Sequence, residues 1–339
     1  MILTPPERFY AGRRVLVTGG AGFIGSNLAG RLVELGAQVT VQDAFIPDCG
    51  GNPYNLETVR DRITLHRADL RELETTRAAL GGVEVVFNLA GQVSHIDSMA
   101  RPREDLASNC ESQLALLEVC RRVNPRARII YAGTRQQYGR PQYTPVDESH
   151  PLRPTDINGV NKLAGEWYHR LYAQLHGLHT ISLRLTNTFG PRQLIRHDRQ
   201  GFLAVFVRRS LAGEPIRVFG DGLQLRDLNF VDDVVAAFLA AGAAGPERVP
   251  GGEVFNLGSQ EVLSLREIAE LFVRAAGRGR IELVPFPDAL KGIDIGSYHA
   301  DFSKIRRVLG WEPRTRVEEG IRRTLAFYRE HRAHYLAAE

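Results

Sequence analysis

The chain has 339 residues, of which 43% are hydrophobic and 24% are charged, a composition that excludes an intrinsically disordered protein. Its formal net charge of +4 is too small for this length to indicate a nucleic-acid-binding surface. The three cysteines include no Cys-x-x-Cys pair, which argues against a zinc site or a disulfide framework, so we expect no metal.

The start of the sequence and its hydropathy bear on where in the cell the protein is located. The sequence does not open on a basic segment followed by an apolar stretch, and it contains no run of about 18 apolar residues. We therefore expect a cytoplasmic protein with free thiols that binds neither a membrane nor nucleic acid.

The predicted elements begin with a β-α-β unit. Residues 14–18 form a short apolar run with β-branched side chains, which is typical of a buried strand. Three leucines then recur at helical spacing before Gly36, a helix-ending signal, and residues 37–42 form a second strand. Because two strands joined by a helix are parallel with a right-handed crossover, this unit predicts the start of a doubly wound sheet.

Strands and helices continue to alternate up to about residue 185. The pattern predicts further strands at 63–66, 83–88, 128–132 and 180–185, and helices at 104–123 and 163–176. We therefore expect an α/β protein with a Rossmann-type doubly wound parallel sheet in residues 1–185, to which residues 228–260 cross back. Residues 186–339 are expected to form mainly a smaller mixed α/β substrate domain.

A glycine-rich loop lies between the first strand and the first helix. Gly19 permits a tight turn, Gly22 lets the backbone approach a pyrophosphate, and Gly25 allows close packing of helix on strand. The N-terminus of the helix attracts the phosphates. Asp43 ends the second strand, where a carboxylate can accept hydrogen bonds from both ribose hydroxyls and repels a 2′-phosphate. Together these features predict a site for NAD rather than NADP.

Segments spread over most of the chain carry a resemblance to a known family. They are VTGGAGFIG (17–25), ADL (68–70), NLAG (88–91), AGTRQQYG (132–139), NGVNKLAGEW (158–167), RLTNTFGPR (184–192), LRDLNFVDD (225–233), FNLGS (255–259) and LGWEP (309–313). In this order they resemble the extended short-chain dehydrogenase/reductases, specifically the NAD-dependent nucleotide-sugar epimerases and dehydratases of the UDP-glucose 4-epimerase type. The resemblance implies NAD as cofactor, a nucleotide-diphosphate sugar as substrate, and a homodimer formed through the helices at 104–123 and 163–176.

The resemblance also implies roles for single residues. Besides the glycine loop and Asp43, it assigns to the cofactor Phe23, Ile24, Asp69, Leu70, Leu89, Ala90, Gly91 and Asn109. It assigns to the substrate nucleotide and its diphosphate Asn187, Arg192, Phe219, Arg226 and Tyr298. Thr134 stands where the family's catalytic Ser/Thr binds the hydroxyl that is oxidised. Lys162 stands where the family's lysine binds the nicotinamide ribose and lowers the pKa of a catalytic tyrosine.

One position departs from the family pattern Tyr-x-x-x-Lys. Counting back four residues from Lys162 gives Asn158, and an amide has no proton that titrates near neutral pH. Three interpretations remain open. Another group acts as acid/base, namely Tyr138, Tyr143, His95 or Lys162 itself; or the enzyme is impaired or needs no such proton transfer; or the chain binds NAD and nucleotide sugars without catalysis.

A second departure concerns the type of reaction. The 4,6-dehydratases carry Thr-Asp-Glu where this chain has Thr134-Arg135-Gln136, so the two carboxylates that eliminate water are absent. An epimerase needs no such pair. We therefore predict an NAD-dependent nucleotide-sugar epimerase that acts through a transient keto-sugar with an atypical acid/base residue. The alternatives are an NAD- or nucleotide-sugar-binding protein, and a dehydratase or other NAD-dependent sugar-modifying enzyme.

Overall fold

The computed structural model describes residues 6–336, except for the side chains of residues 6, 7 and 289. The strands are β1 (Arg14–Thr18), β2 (Gln38–Asp43), β3 (Ile63–Arg67), β4 (Val85–Asn88), β5 (Arg128–Thr134), β6 (His179–Leu185), β7 (Asn187–Phe189), β8 (Ile216–Phe219), β9 (Leu225–Phe230), β10 (Glu253–Asn256), β11 (Val262–Ser264) and β12 (Ile281–Val284).

The helices alternate with these strands in the first half of the chain and dominate the second half. They are α1 (Pro6–Tyr10), α2 (Phe23–Glu34), α3 (Leu73–Ala79), α4 (His95–Ala100), α5 (Pro102–Leu106), α6 (Ser112–Val123), α7 (Ile157–His176), α8 (Phe202–Ala212), α9 (Val231–Ala243), α10 (Leu265–Ala276), α11 (Asp288–Lys291), α12 (Ser303–Leu309), α13 (Val317–Glu330) and α14 (Arg332–Leu336). Shorter helical segments are the 3₁₀ turns Pro53–Arg62 and Arg135–Tyr138 and the π turn Ala107–Glu111.

The central sheet has seven parallel strands in the order β10-β6-β5-β4-β1-β2-β3. This order confirms the predicted Rossmann-type α/β fold. Strand β10, from the second half of the chain, pairs with β6 at the sheet edge. The remaining strands form a three-stranded sheet, β11-β9-β7, and a pair, β12-β8. Among residues 6–336, no helix combines the length and the apolar character that a membrane span needs.

The alternation of side chains along each strand builds a core on both faces of the sheet. In β1, Val15 and Val17 face one apolar cluster, which includes residues of α9 and α13, and Leu16 faces a second cluster with α6. All three side chains are fully buried. Parallel sheets covered on both faces carry such continuous apolar strands, so the polar groups of the site are left to the loops that follow the strands.

Helix α7, which carries residues 158 and 162, is fixed at both ends. Its N-cap Asp156 accepts a hydrogen bond from the Gly159 N–H at 2.6 Å, and Gly177 ends the helix in the left-handed conformation. Asn158 bonds to the Gln92 carbonyl after β4 and Asp156 to the Gln136 side chain after β5, so the first turn of α7 is held against these loops. This placement brings the two sequence positions that matter most for the chemistry beside the carboxyl edge of the sheet.

Candidate active site

A cavity of about 330 Å³ lies at the carboxyl ends of the parallel strands. Its lining contains the residues of the glycine loop and most of the other residues predicted to hold the cofactor: Gly19, Gly22, Phe23, Ile24, Gly25, Asp43, Asp69, Leu70, Leu89, Ala90 and Gly91. It also contains Thr134, Asn158, Lys162 and Asn187. The structure therefore brings most of the predicted cofactor positions together with Thr134, Asn158 and Lys162, whereas Asn109 and Tyr138 lie outside the lining.

The glycine loop is packed so tightly that side chains would not fit. A Cβ on Gly25 would lie 2.2 Å from the Gly19 carbonyl oxygen, and a Cβ on Gly19 would lie 2.9 Å from the Ala90 Cα. Gly19 also has a φ of +64°, which an L side chain adopts at a cost. Gly22 precedes the first turn of α2, so the N–H groups at the start of this helix face the cavity end of the loop.

Asp43 joins the glycine loop to the segment after β2. Its Oδ2 accepts a hydrogen bond from the Ala21 N–H at 2.9 Å, and its Oδ1 accepts one from the Phe45 N–H at 2.8 Å. Burial raises the pKa of Asp43, while these two N–H groups oppose the rise. Each carboxylate oxygen keeps a further acceptor position, as contact with ribose hydroxyls requires.

Asn109 does not line the cavity but lies directly behind Gly91. A Cβ on Gly91 would approach the Asn109 Oδ1 to 2.4 Å, and the Asn109 Nδ2 donates to the Gln92 carbonyl at 3.0 Å. Asn109 is fully buried and sits on the π turn, which shifts its side chain relative to a regular helix. It thus supports the loop after β4 from behind.

Lys162 lies at the floor of the cavity. Its Nζ donates to the Ala132 carbonyl at 3.2 Å and lies 5.3 Å from the centre of the Tyr131 ring. Burial lowers the pKa of Lys162 to about 8, and the carboxylate of Asp105 opposes this shift. A buried ammonium group at this place can donate to a cofactor hydroxyl and can also lose its proton at mildly alkaline pH.

Asn158 is held by a buried carboxylate. Its Nδ2 donates to the Gln92 carbonyl at 2.8 Å and to the Asp105 Oδ2 at 3.0 Å. The Asn161 Nδ2 donates to the other oxygen of Asp105 at 2.8 Å. Asp105 is 1% exposed, so the two amides supply the donors that a buried carboxylate needs. The side chain of Asn158 therefore ties the start of α7 to α5.

A second polar network connects the loops after β4 and β5 to α7. The Asp156 Oδ2 lies 3.1 Å from the His95 Nδ1 and accepts from the Gln136 Nε2 at 3.0 Å. Burial tends to raise the pKa of Asp156, but hydrogen bonds from His95, the Gly159 N–H and Gln136 outweigh it, and the net shift is downward. The Thr134 Oγ1 accepts from the Gln136 N–H at 3.2 Å. His95, Thr134 and Gln136 all line the cavity.

Two tyrosines predicted as candidate acid/base groups lie elsewhere. The Tyr138 hydroxyl is buried, donates to the Asn256 Oδ1 at 2.7 Å and accepts from the Arg184 Nη1 at 2.6 Å. Burial raises the pKa of Tyr138 to about 12. Arg184 is itself paired with the buried Glu166, so Tyr138 belongs to an internal network. Tyr143 is exposed, and neither tyrosine lines the cavity.

The arginines expected at the diphosphate also lie outside the lining. The Arg192 Nη1 donates to the Ser26 carbonyl at 2.9 Å. The Arg226 Nη1 donates to the Leu225 and Gly296 carbonyls, and the side chain is buried. Both guanidinium groups are thus engaged with the backbone of neighbouring segments, and the sequence pattern alone does not reveal this.

Two aromatic residues expected at the substrate occupy the second half of the molecule. The Phe219 ring packs edge-on against Phe286, with the ring centres 5.7 Å apart. Tyr298 is buried and stacks on Tyr138 at 6.3 Å. Its other contact is Arg135, whose guanidinium lies 5.0 Å from the Tyr298 ring centre. Through Arg135, which does line the cavity, Tyr298 is adjacent to the site.

Residues 15–258 match the NAD dependent epimerase/dehydratase family. The chain belongs to this family. Its relatives include the UDP-glucose 4-epimerase of Mycolicibacterium smegmatis, which is 35% identical over 93% of this chain and 98% of the relative. A dTDP-glucose 4,6-dehydratase of Streptomyces griseus is 31% identical over 94% of this chain and 95% of the relative.

Solved structures show the same relationship. An epimerase of Methanothermobacter thermautotrophicus superposes with a TM-score of 0.88 at 27% identity and covers 96% of this chain and 95% of its own. The UDP-glucose 4-epimerase of Thermus thermophilus in complex with NAD superposes with a TM-score of 0.82 at 31% identity, covering 93% of this chain and 99% of its own. NAD is therefore the cofactor of this family member, as predicted, and the glycine loop and Asp43 fit it.

Sequence reasoning did not assign site roles to Arg135, Gln136, Asp156 and Gln92. In the sequence, Arg135 and Gln136 stand out only as replacements for the acids of dehydratases. Asp156 carried a usable signal, because an aspartate immediately before a helical run is a typical N-cap. Gln92 contributes through its carbonyl group, which no side-chain pattern reveals.

Proposed function

We propose that this protein is an NAD-dependent nucleotide-sugar epimerase that acts through a transient keto-sugar and uses an acid/base residue other than Asn158. The observation that carries the proposal is the convergence of Thr134 and Lys162 with the glycine loop in one cavity. Residues 1–185, with 228–260, would hold NAD, and residues 186–339 would mainly bind the nucleotide sugar.

The bound cofactor supplies hydride chemistry, taking a hydride from a sugar carbon and returning it to the opposite face. Thr134 would position the hydroxyl that is oxidised, since it lies at the end of β5 and lines the cavity. Lys162 would orient the nicotinamide ribose. The protein would then supply the positioning of the reactants and one proton transfer.

We assign that proton transfer to His95. Of the four candidates, Tyr138 and Tyr143 lie outside the cavity, and Lys162 already contacts the Ala132 carbonyl. The Nδ1–H of His95 would donate to Asp156, which leaves Nε2 as the acceptor for a substrate proton. A carboxylate that orients an imidazole in this way is a recurrent arrangement for general bases.

An epimerase is favoured over a dehydratase by what replaces the two carboxylates. Arg135 carries the opposite charge, and the Gln136 amide is bonded to Asp156. Neither can remove or donate a proton near neutral pH. The relatives that act on UDP-glucose and dTDP-glucose suggest a nucleoside-diphosphate hexose as the substrate class.

The proposal includes a homodimer in the cytoplasm. Helices α6 and α7 pack side by side and present large apolar side chains to the outside: Leu114, Val160, Trp167, Leu171 and Leu175. Burial of this face against a second copy would remove apolar area from water. The cytoplasmic location rests on the three cysteines, none of which is in a disulfide.

The test combines cofactor analysis with product analysis. One sample of the protein as purified is denatured to release and identify NAD. A second, native sample is incubated with UDP-, dTDP-, GDP- and CDP-hexoses. We expect the denatured sample to release NAD and the native sample to show transient absorbance of reduced NAD. With at least one nucleotide sugar, NMR should detect a product that is inverted at one sugar carbon. NAD binding without an epimer from any substrate would favour the non-catalytic alternative, and loss of water from a sugar would favour the dehydratase.

A further inference from the structure

We propose that Arg135 receives a carboxylate on the sugar ring, so that the enzyme prefers nucleotide-linked hexuronic acids to neutral hexoses. This inference rests on the proposed function and names its substrate class. It follows from the position, partial burial and incomplete hydrogen bonding of a single guanidinium group.

Arg135 lines the cavity next to Thr134 and stacks on Tyr298. Its Nη1 is inaccessible to solvent and has no hydrogen-bond partner among residues 6–336. Among residues 6–336, no carboxylate lies within ion-pair distance of the Arg135 guanidinium, and the ion pairs between those residues do not include Arg135. Burial lowers the pKa of Arg135, and the carboxylates of Asp227, Asp156 and Asp294 oppose this shift without outweighing it.

The carboxylates that act on Arg135 are hydrogen-bonded to other groups, Asp294 to the Gln224 side chain and the Gly296 N–H. Asp227 accepts from the Thr186 hydroxyl and from the Ala300 N–H at 3.0 Å. Asp156 accepts from Gln136 and the Gly159 N–H and contacts His95. A partly buried guanidinium with an unpaired N–H shielded from solvent is costly, and an anionic ligand would offset this cost.

The geometry favours a carboxylate near the reacting carbon. Arg135 follows Thr134 directly, and Thr134 is the residue proposed to hold the hydroxyl that is oxidised. In a hexuronic acid the carboxyl group is bonded to the ring carbon next to C4, so both groups can meet adjacent residues. Stacking on Tyr298 restrains the guanidinium plane, and a planar fork suits two-point binding of a carboxylate.

The nucleotide diphosphate is the other anion that could meet Arg135, and the test separates the two sources. Values of kcat/KM are measured for UDP-glucuronate against UDP-glucose and for UDP-galacturonate against UDP-galactose, with wild type, Arg135→Gln and Arg135→Lys. We expect wild type to prefer the uronates at least tenfold. Arg135→Gln should lower kcat/KM for the uronates about 10- to 100-fold and change the neutral sugars less than about threefold.

The charge-retaining Arg135→Lys should keep part of the preference for uronates. Arg140→Gln is the matched control, because Arg140 is exposed and bonds to the Lys291 and Asp294 carbonyls outside the cavity. An equal loss with uronates and neutral sugars in Arg135→Gln would identify a diphosphate contact and overturn the proposal. A wild-type preference for neutral hexoses would also overturn it.

A binding measurement keeps this inference separate from the proposed function. Calorimetric titration of the NAD-loaded protein with the same four nucleotide sugars requires no turnover. Tighter binding of the uronates that disappears in Arg135→Gln would support the inference even if no epimer forms. No difference between uronates and neutral sugars in the wild type would refute it. A difference that persists in an Arg135→Gln variant whose Tm matches that of wild type would also refute it.

Discussion

Two parts of the cavity are built by different means. The cofactor half is lined by the glycine loop and Asp43, and the proposed sugar half is lined by His95, Thr134 and Gln136. The cofactor half is shaped by backbone, with glycines at which a Cβ would lie 2.2–2.9 Å from neighbouring atoms. The sugar half is shaped by side chains that hold one another, such as His95, Asp156 and Gln136. A backbone loop of this kind tolerates almost no substitution, whereas a side-chain network can exchange members without moving the backbone.

The largest effect is expected from adding a side chain to the glycine loop. Gly25→Ala would bring a Cβ to 2.2 Å from the Gly19 carbonyl oxygen, so the loop must move and the pyrophosphate position is lost. We expect purified Gly25→Ala to carry no NAD and to show no turnover. The control is Gly292→Ala, where a Cβ would meet nothing within 4 Å. Retention of wild-type NAD content by Gly25→Ala would contradict this role of the glycine loop.

In the sugar half, His95→Gln should remove the acid/base group but leave the cofactor in place. General acid/base catalysis contributes about 10²–10⁴-fold, and we expect kcat to fall within this range. The NAD content should stay at the wild-type level, because His95 contacts Asp156 and Gln136 rather than the glycine loop. Unchanged kcat in His95→Gln would exclude this histidine and leave Lys162 as the remaining candidate in the cavity.

Lys162 connects the two halves, and its buried charge should reduce the stability of the protein without NAD. Its pKa is about 8 in the folded protein and 10.5 ordinarily, so between these pH values the unfolded chain binds more protons. The wild type should therefore gain stability as pH rises through this window. At pH 7, the free energy of unfolding of Lys162→Met should be larger than that of the wild type by on the order of 1–3 kcal/mol.

Urea unfolding of both NAD-free proteins at several pH values measures this difference. The difference in free energy of unfolding between Lys162→Met and wild type should become smaller as pH rises from about 8 towards 10.5. The same variant should retain less NAD and turn over more slowly if Lys162 holds the nicotinamide ribose. A difference that does not change with pH would show that Lys162 carries no buried charge.

The smallest effect is expected at the rim. Arg199 bridges the loop after β2 and helix α4, with its Nη2 2.8 Å from the Asp48 Oδ2 and its Nη1 3.3 Å from the Asp97 Oδ1. Because Arg199 and Asp48 are partly exposed, although Asp97 is buried, Arg199→Ala should raise the NAD dissociation rate only about two- to fivefold, and less so at high salt. Arg266→Ala, which removes an exposed pair with Glu270 on α10, is the control. A large loss of kcat would place Arg199 in the sugar half instead.

The same contrast explains how far the sequence could be interpreted. The spacing of Gly19, Gly22 and Gly25 after an apolar strand predicted both the sheet and the NAD site, because each glycine answers a local backbone requirement. The expected positions of Arg226 and Tyr298 depended on family resemblance alone. In the structure Arg226 bonds to backbone carbonyls and Tyr298 stacks on Tyr138, because contacts between distant segments decide where long side chains point.

By itself the sequence determined the doubly wound α/β fold, the cofactor and the absence of a tyrosine four residues before Lys162. These features depend on periodicity and on neighbours within a few residues of one another. Only the tertiary structure showed that Asn158 serves a buried Asp105, that Asp156 orients His95, and that Arg135 has a donor without a partner. Such pairings join segments far apart in the chain, and their energies depend on burial, which the folded chain alone creates.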